Sequence, residues 1–246
     1  MSPTESIKKL CDTSLEKLFS DKKWEKIKEK KLRKGTTDPL FSERDGRMAF
    51  IIHSVTIRSG IILENLYLEA VKSTCTNLDV WSEKKFKISG HAMNQAQDQD
   101  NEEVMDGDLP YGQAVKIGNK KKTRQIDLFT YDRVNKILNS YEIKRAGGHH
   151  DSEKKEKIIE NLIAVQLLLK SYGEKEKKIE VKRRNSFIIA HMNEDLFPSE
   201  YSSLQISGKD VDNHFNAAVS KKINEGYGYF VKEFRRRFAI IKSISI

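Results

Sequence analysis

Two β-rich runs, Gln125 to Tyr131 and Lys136 to Lys144, are joined by the polar stretch Asp132-Arg133-Val134-Asn135. This feature most constrains the fold, because two such runs across so short a polar link predict an antiparallel hairpin. A single hairpin is marginal in water and must belong to a larger sheet. The flanking segments supply the rest. Ala49 to Ser73 has helical periodicity and Asp79 to Ile88 reads as a strand. Asp151 to Tyr172 predicts a helix with Ile159, Leu162, Ile163, Gln166 and Leu169 along one face, and Ser186 to Met192 predicts a fourth strand. The order helix–strand–strand–strand–helix–strand implies an α/β fold, a mixed central sheet flanked by helices.

Further helices are expected at both ends. Residues 4–34 read as a helix with a partial stripe of Leu10, Leu15, Leu18 and Phe19, turning strongly basic before Gly35. Val211 to Ile241 reads as a helical region interrupted by Gly226 and Gly228. Its apolar series of Phe215, Val219, Ile223, Phe230, Phe234, Phe238 and Ile241 suits core packing or a dimer interface. The acidic stretch from His91 to Gly112 has no periodicity and is expected to be a long loop. Its Asp98, Asp100 and Glu102 lack the glycine and closing glutamate of a calcium loop. The 246 residues are thus expected to form a single domain: an N-terminal helical arm (1–48), an α/β core (49–195) and a C-terminal helical region (196–246).

Charge narrows the partners. With 45 Lys+Arg against 36 Asp+Glu the chain carries +9, which points to a polyanion or an anionic membrane surface. No apolar run is long enough to span a bilayer. The N-terminus lacks the order of a signal peptide, and the two cysteines, Cys11 and Cys75, have no motif spacing. Reduced thiols in a cytoplasmic protein are therefore expected.

Side chains alternate along a strand, so Glu142 and Lys144 share one face and Ile143 points to the other. Asp127, on the preceding strand, can lie beside Glu142. An unpaired carboxylate among Ile126, Leu128 and Phe129 would be costly. Asp132 is a rival for this role, but its neighbours Arg133 and Asn135 favour turn chemistry. Two adjacent carboxylates repel unless a positive charge intervenes, and a hard divalent ion suits them, with the Ile143 carbonyl as a further oxygen. Lys144 would position the attacking water and stabilise charge on a phosphate.

The pattern Asp127-x14-Glu142-x-Lys144 on a hairpin, with Glu64 on the helix before and another helix after, resembles the PD-(D/E)XK nucleases, which include most type II restriction endonucleases. The resemblance covers roughly residues 55–192. Ile126 stands where the superfamily's name has proline. It implies a restriction-endonuclease-like core and a catalytic triad of Asp127, Glu142 and Lys144. Asp127, Glu142 and Ile143 would ligate Mg²⁺, for which Mn²⁺ would substitute. Glu64 would be a supporting acid, on a stripe with Ile61, Leu68 and Val71, and Gln166 would match a polar residue of some branches.

The implied activity is hydrolysis of double-stranded DNA by a homodimeric, site-specific enzyme. A structure-selective or repair nuclease on the same core, and a non-catalytic nucleic-acid-binding protein, are the alternatives. Lys122, Arg124, Arg145, His149, His150, Arg183, Arg184 and Asn185 are candidates for DNA contact by their proximity to the site.

Overall fold

The structure is a computed structural model that describes residues 3–20, 43–97, 107–112, 116–117, 120–121, 123–145, 152–192, 197 and 199–245. The chain divides into two compact units. One is helical, built from residues 1–66 and 221–246; the other, residues 67–220, holds the sheet. The divisions fall inside long helices, away from the sequence-based boundaries at residues 48 and 195.

In the sheet unit the hairpin forms between β4 (Thr123–Asp132) and β5 (Ile137–Lys144). Asp132 builds its turn: Oδ1 accepts the backbone N–H groups of Val134 and Asn135 at 2.8 and 3.0 Å. Lys136 closes the turn at a φ of 57°. Turn chemistry therefore accounts for Asp132. Strand β1 (Leu78–Lys87) pairs antiparallel with β4. β5 pairs in parallel with β6 (Arg183–Ala190), and β6 with the three-residue β7 (Gln205–Ser207). The result is a five-stranded mixed sheet in the order β1-β4-β5-β6-β7. Two further short strands, β2 (Lys116–Ile117) and β3 (Lys120–Lys121), form a separate ribbon.

A parallel pair requires a crossover, and helix α4 (Ser152–Tyr172) provides it between β5 and β6. Its burial differs from the single face expected. Every residue from Asn161 to Leu169 is buried, and α3 (Gly90–Gln97) packs against this helix in addition to the strands. Helix α3 occupies the start of the stretch expected to be a loop. Ser89 Oγ accepts the Ala92 N–H at 3.1 Å as its N-cap, and Ala92, Met93 and Ala96 are buried.

The helical unit comprises α1 (Glu5–Leu18), the first part of α2 (Glu43–Thr74) and most of α6 (Val219–Ser245). Ile7, Cys11, Leu15 and Leu18 are the buried apolar residues of α1. Among the described residues of α2 the buried apolar set is Ile62, Leu63, Leu66, Tyr67, Ala70 and Val71; of the expected stripe Ile61, Glu64, Leu68 and Val71, only Val71 belongs to it and the others lie at its flank. The short α5 (Val211–Phe215) ends at Asn216 in the left-handed region, and α6 then runs unbroken through Gly226 and Gly228. The break expected at these glycines falls earlier, at Asn216. Both cysteines are free and buried; desolvation and the neighbouring Asp12 charge push the Cys11 thiol up to about 12. No helix among the described residues is long and apolar enough to cross a membrane.

The two glycines of α6 have different reasons. A Cβ on Gly226 would sit 2.5 Å from Leu66 Cδ2 and 2.8 Å from Ile7 Cγ2, whereas one on Gly228 would meet nothing within 4 Å. Gly226→Ala is expected to destabilise the protein by about 1–3 kcal/mol through overpacking. Gly228→Ala is expected to stabilise it by about 0.5–1 kcal/mol through helix propensity. Urea denaturation of the two variants checks the pair; equal shifts would contradict the close approach at Gly226.

Candidate active site

The site begins with an irregularity in β4. Trp81 pairs with Phe129 and Glu83 with Ile126, so β4 carries one more residue than β1 over this interval. Such a bulge re-aims side chains. It allows Ile126 and Phe129, an odd number of residues apart, both to enter the same apolar core while Asp127 turns to β5. The β4–β5 ladder runs as far as Leu128 opposite Tyr141, and one further step puts Asp127 opposite Glu142.

At that position the Asp127 carboxylate continues the ladder with its side chain. Oδ2 accepts the Ile143 N–H at 2.9 Å and Oδ1 accepts from Gln125 Nε2 at 3.2 Å. Burial raises the Asp127 pKa; the Ile143 N–H opposes this and the Glu142 charge adds to it, leaving the group above the ordinary aspartate value. Glu142 is differently partnered. Lys144 Nζ lies 2.6 Å from Oε1, and Arg124 donates to Oε2. Burial pushes Glu142 upward too, but the charges of Lys144 and Arg124 outweigh it and hold the carboxyl below the ordinary glutamate value. Ile143 is buried, as strand alternation requires.

Asp127, Glu142 and Lys144 are therefore one group within the sheet unit. Glu64 is half-buried on the part of α2 that belongs to the helical unit. Among the described residues no set of three or more His, Cys, Asp or Glu side chains is gathered to hold a metal ion. The two carboxylates nevertheless fit a hard divalent cation in donor type. Such an ion takes one or two protein carboxylates and completes its shell with water and phosphate oxygens.

The basic candidates divide by their surroundings. Arg124 is engaged with Glu142. Arg183, Arg184 and Asn185 pair with Ile137, Leu138 and Asn139, at the other end of β5 from Glu142 and Lys144, so their expected proximity to the site does not hold, and of the three only Arg183 is exposed. Arg184 turns inward: Nε donates to the Gln166 carbonyl at 3.1 Å, one Nη donates to the Gly107 carbonyl at 2.6 Å, and Asp108 lies at 3.0 Å. Those bonds tie the strand edge to α4 and the segment before Tyr111. Asn185 donates to Asn139 Oδ1 at 2.8 Å across the parallel pair. Arg145 is half-buried, and its carbonyl accepts the Met192 N–H. Lys122, His149 and His150 lie outside the described residues. Gln166 is a buried structural link, its Oε1 accepting the Ser186 N–H at 3.0 Å. That N–H precedes the start of the β6–β7 ladder at Ile188.

Sequence reasoning missed His191. It leaves β6 directly beside the end of β5, its N–H donating to the Lys144 carbonyl at 2.9 Å. Its ring Nδ1 is 3.1 Å from the Tyr67 hydroxyl, and burial lowers its pKa, favouring the neutral ring. The run Ser186 to Met192 hid it, because a histidine inside an assumed strand carries no signal of a strand exit. In sheets of this kind ligands gather outside the carboxyl ends of parallel strands, where Lys144 and His191 lie.

No known protein family, curated protein or solved structure matches the chain.

The two carboxylates have opposite linkage to stability. Asp127 has a raised folded pKa, so its ionisation is unfavourable to the fold above the unfolded value of about 3.9. Asp127→Asn keeps an acceptor for the Ile143 N–H and is expected to raise the urea midpoint at neutral pH, with the gain vanishing below about pH 3.9. Glu142 has a lowered folded pKa, so it stabilises the fold above its unfolded value of about 4.3 and loses this as pH falls through the folded value. Glu142→Gln is expected to lower the midpoint at neutral pH and to converge with the parent in acid. A neutral-pH loss in Asp127→Asn would contradict the assigned environment.

Proposed function

We propose that the chain is a Mg²⁺-dependent endonuclease of double-stranded DNA, with Mn²⁺ as a competent substitute, of the PD-(D/E)XK kind. The observation that carries this reading is the convergence of Asp127, Glu142 and Lys144, with Lys144 Nζ 2.6 Å from Glu142 and Asp127 across the hairpin. The sheet order supports it: antiparallel β1, β4 and β5, a crossover through α4 and parallel β6 make a mixed α/β sheet compatible with the core that the sequence resemblance implies. The net charge of +9 suits a phosphate backbone.

In this reading Asp127 and Glu142 hold the cation. When bound, the ion supplies a water of lowered pKa and neutralises charge on the leaving oxygen. The chain's own part is positional and electrostatic. Glu142 fixes the Lys144 ammonium at the end of β5, where it would donate to the phosphate oxygens as negative charge grows on them. Arg124 offers a second cation on the same side. Water attacks phosphorus, and the bond to the departing sugar oxygen breaks. A homodimer cutting both strands of a two-fold site is the assembly that fits a site-specific enzyme.

A second reading has its own observation. Both oxygens of Glu142 are engaged by cations of the chain itself, the arrangement of a structural ion-pair network. Such a network suits a nucleic-acid-binding protein without catalysis. Plasmid cleavage separates the two. With Mg²⁺ discrete fragments are expected, and none with a chelator. Lys144→Ala and Asp127→Ala are each expected to slow cleavage at least about 100-fold. A smear in place of fragments would indicate a nonspecific or structure-selective nuclease. Salt-sensitive binding without cleavage in either metal would establish the second reading.

A further inference from the structure

Within the helical unit, α1 and α2 border a groove of about 400 Å³. One stripe of α1 lines it, Ser6, Lys9, Leu10, Thr13, Ser14 and Lys17, at helical spacings of three and four. From α2 come Arg58, the apolar floor of Ile61 and Ile62, and Asn65. Among the described residues no carboxylate lines the groove. The acids of α1 that have partners point elsewhere: Glu5 lies 3.7 Å from Lys8, and Asp12 accepts from Tyr229 and Arg237. Lys9, Lys17 and Arg58 have no ion-pair partner among the described residues, so three like charges share one groove.

An anion with several acceptor oxygens would answer the three cations together. Lys9 and Lys17 are about 12 Å apart along the helix axis. One strand of a duplex carries a phosphate about every 3.4 Å of its axis, so the lysines can meet different phosphates of a polymer. The apolar floor suits the faces of sugars. The exposed Ile57 and Ile61 lie one turn apart on α2, so an anionic lipid surface is the competing partner, and binding to phospholipid vesicles distinguishes it.

We propose that this groove binds the phosphodiester backbone of a nucleic acid, with Lys9, Lys17 and Arg58 meeting phosphates. It rests on the reading of nucleic acid as the partner, but not on the reading of the sheet unit as a catalyst. Fluorescence anisotropy of a labelled duplex tests it, using the full chain carrying Asp127→Asn to prevent cleavage. Lys9→Ala/Lys17→Ala is expected to weaken binding at least about tenfold, and to make the slope of log K against log salt shallower by about 0.9 for each phosphate no longer neutralised. The double variant Lys84→Ala/Lys85→Ala removes the same charge from exposed positions on β1 and is expected to leave the slope unchanged.

Equal salt slopes for the groove and control variants would overturn the proposal. So would a groove substitution that abolishes binding of inorganic pyrophosphate or anionic phospholipid vesicles but spares the duplex. If the unsubstituted chain cuts no DNA while the groove variants still weaken duplex binding, the nuclease reading fails and the groove assignment stands. If it cuts DNA while duplex binding does not depend on the groove, the groove assignment fails and the nuclease reading stands.

Discussion

The arrangement at the end of the sheet depends on neutralising one buried carboxylate. The Glu142 side chain is 15% exposed, and an unpaired ion at that depth would be strongly destabilising. Two cations compensate it from different strands: Lys144 two residues on, and Arg124 from β4. This constraint fixes more than a pair of side chains. It ties the edge of β4 to β5 beyond the point where their regular ladder stops, where Asp127 also crosses with its own acceptor.

Local pattern made much of this legible. Alternation in β5 separates Glu142 and Lys144 from Ile143, and the polar turn at Asp132 sets the hairpin register that puts Asp127 opposite Glu142. Lengths of the main strands and of α4 followed from the same periodicities. The bulge at Asp127 could not be read, because it is defined by the partner strand β1 and leaves no mark in β4 itself. Helix α3 was hidden by its shortness and its Asn and Gln content. Strand β7 was hidden because three residues carry no period. The glycines of α6 misled for a tertiary reason: propensity disfavours Gly226 in a helix, but the close approach of Leu66 and Ile7 selects it.

The basic surplus also takes different forms once partners are assigned. Arg184 has its donors turned to carbonyls and Asp108, and Arg237 meets Asp12, so these charges stabilise the fold locally. Arg236 and Glu233 are 2.9 Å apart on an exposed face of α6, a pair of the kind that contributes little in water. Lys9, Lys17 and Arg58 are different in kind, because no acid among the described residues answers them in the groove they share. Net charge cannot distinguish an arginine used as a clamp from one left open to a ligand.

Asp127 and Glu142 make the same point for the acids. They face each other at the end of one hairpin, and both are partly withdrawn from water, yet their pKa values move in opposite directions. The difference lies in the donors. Asp127 receives hydrogen bonds from a peptide N–H and an amide, dipoles whose opposition to desolvation is incomplete. Glu142 receives two full positive charges. The Glu142 charge then acts on Asp127 as a further repulsion, so stabilising one carboxylate by cations of the chain leaves its neighbour in greater need of one. Here the division follows from how each acid meets the cations: Lys144 and Arg124 bond directly to Glu142, while the Lys144 charge reaches Asp127 only through space and does not offset its burial.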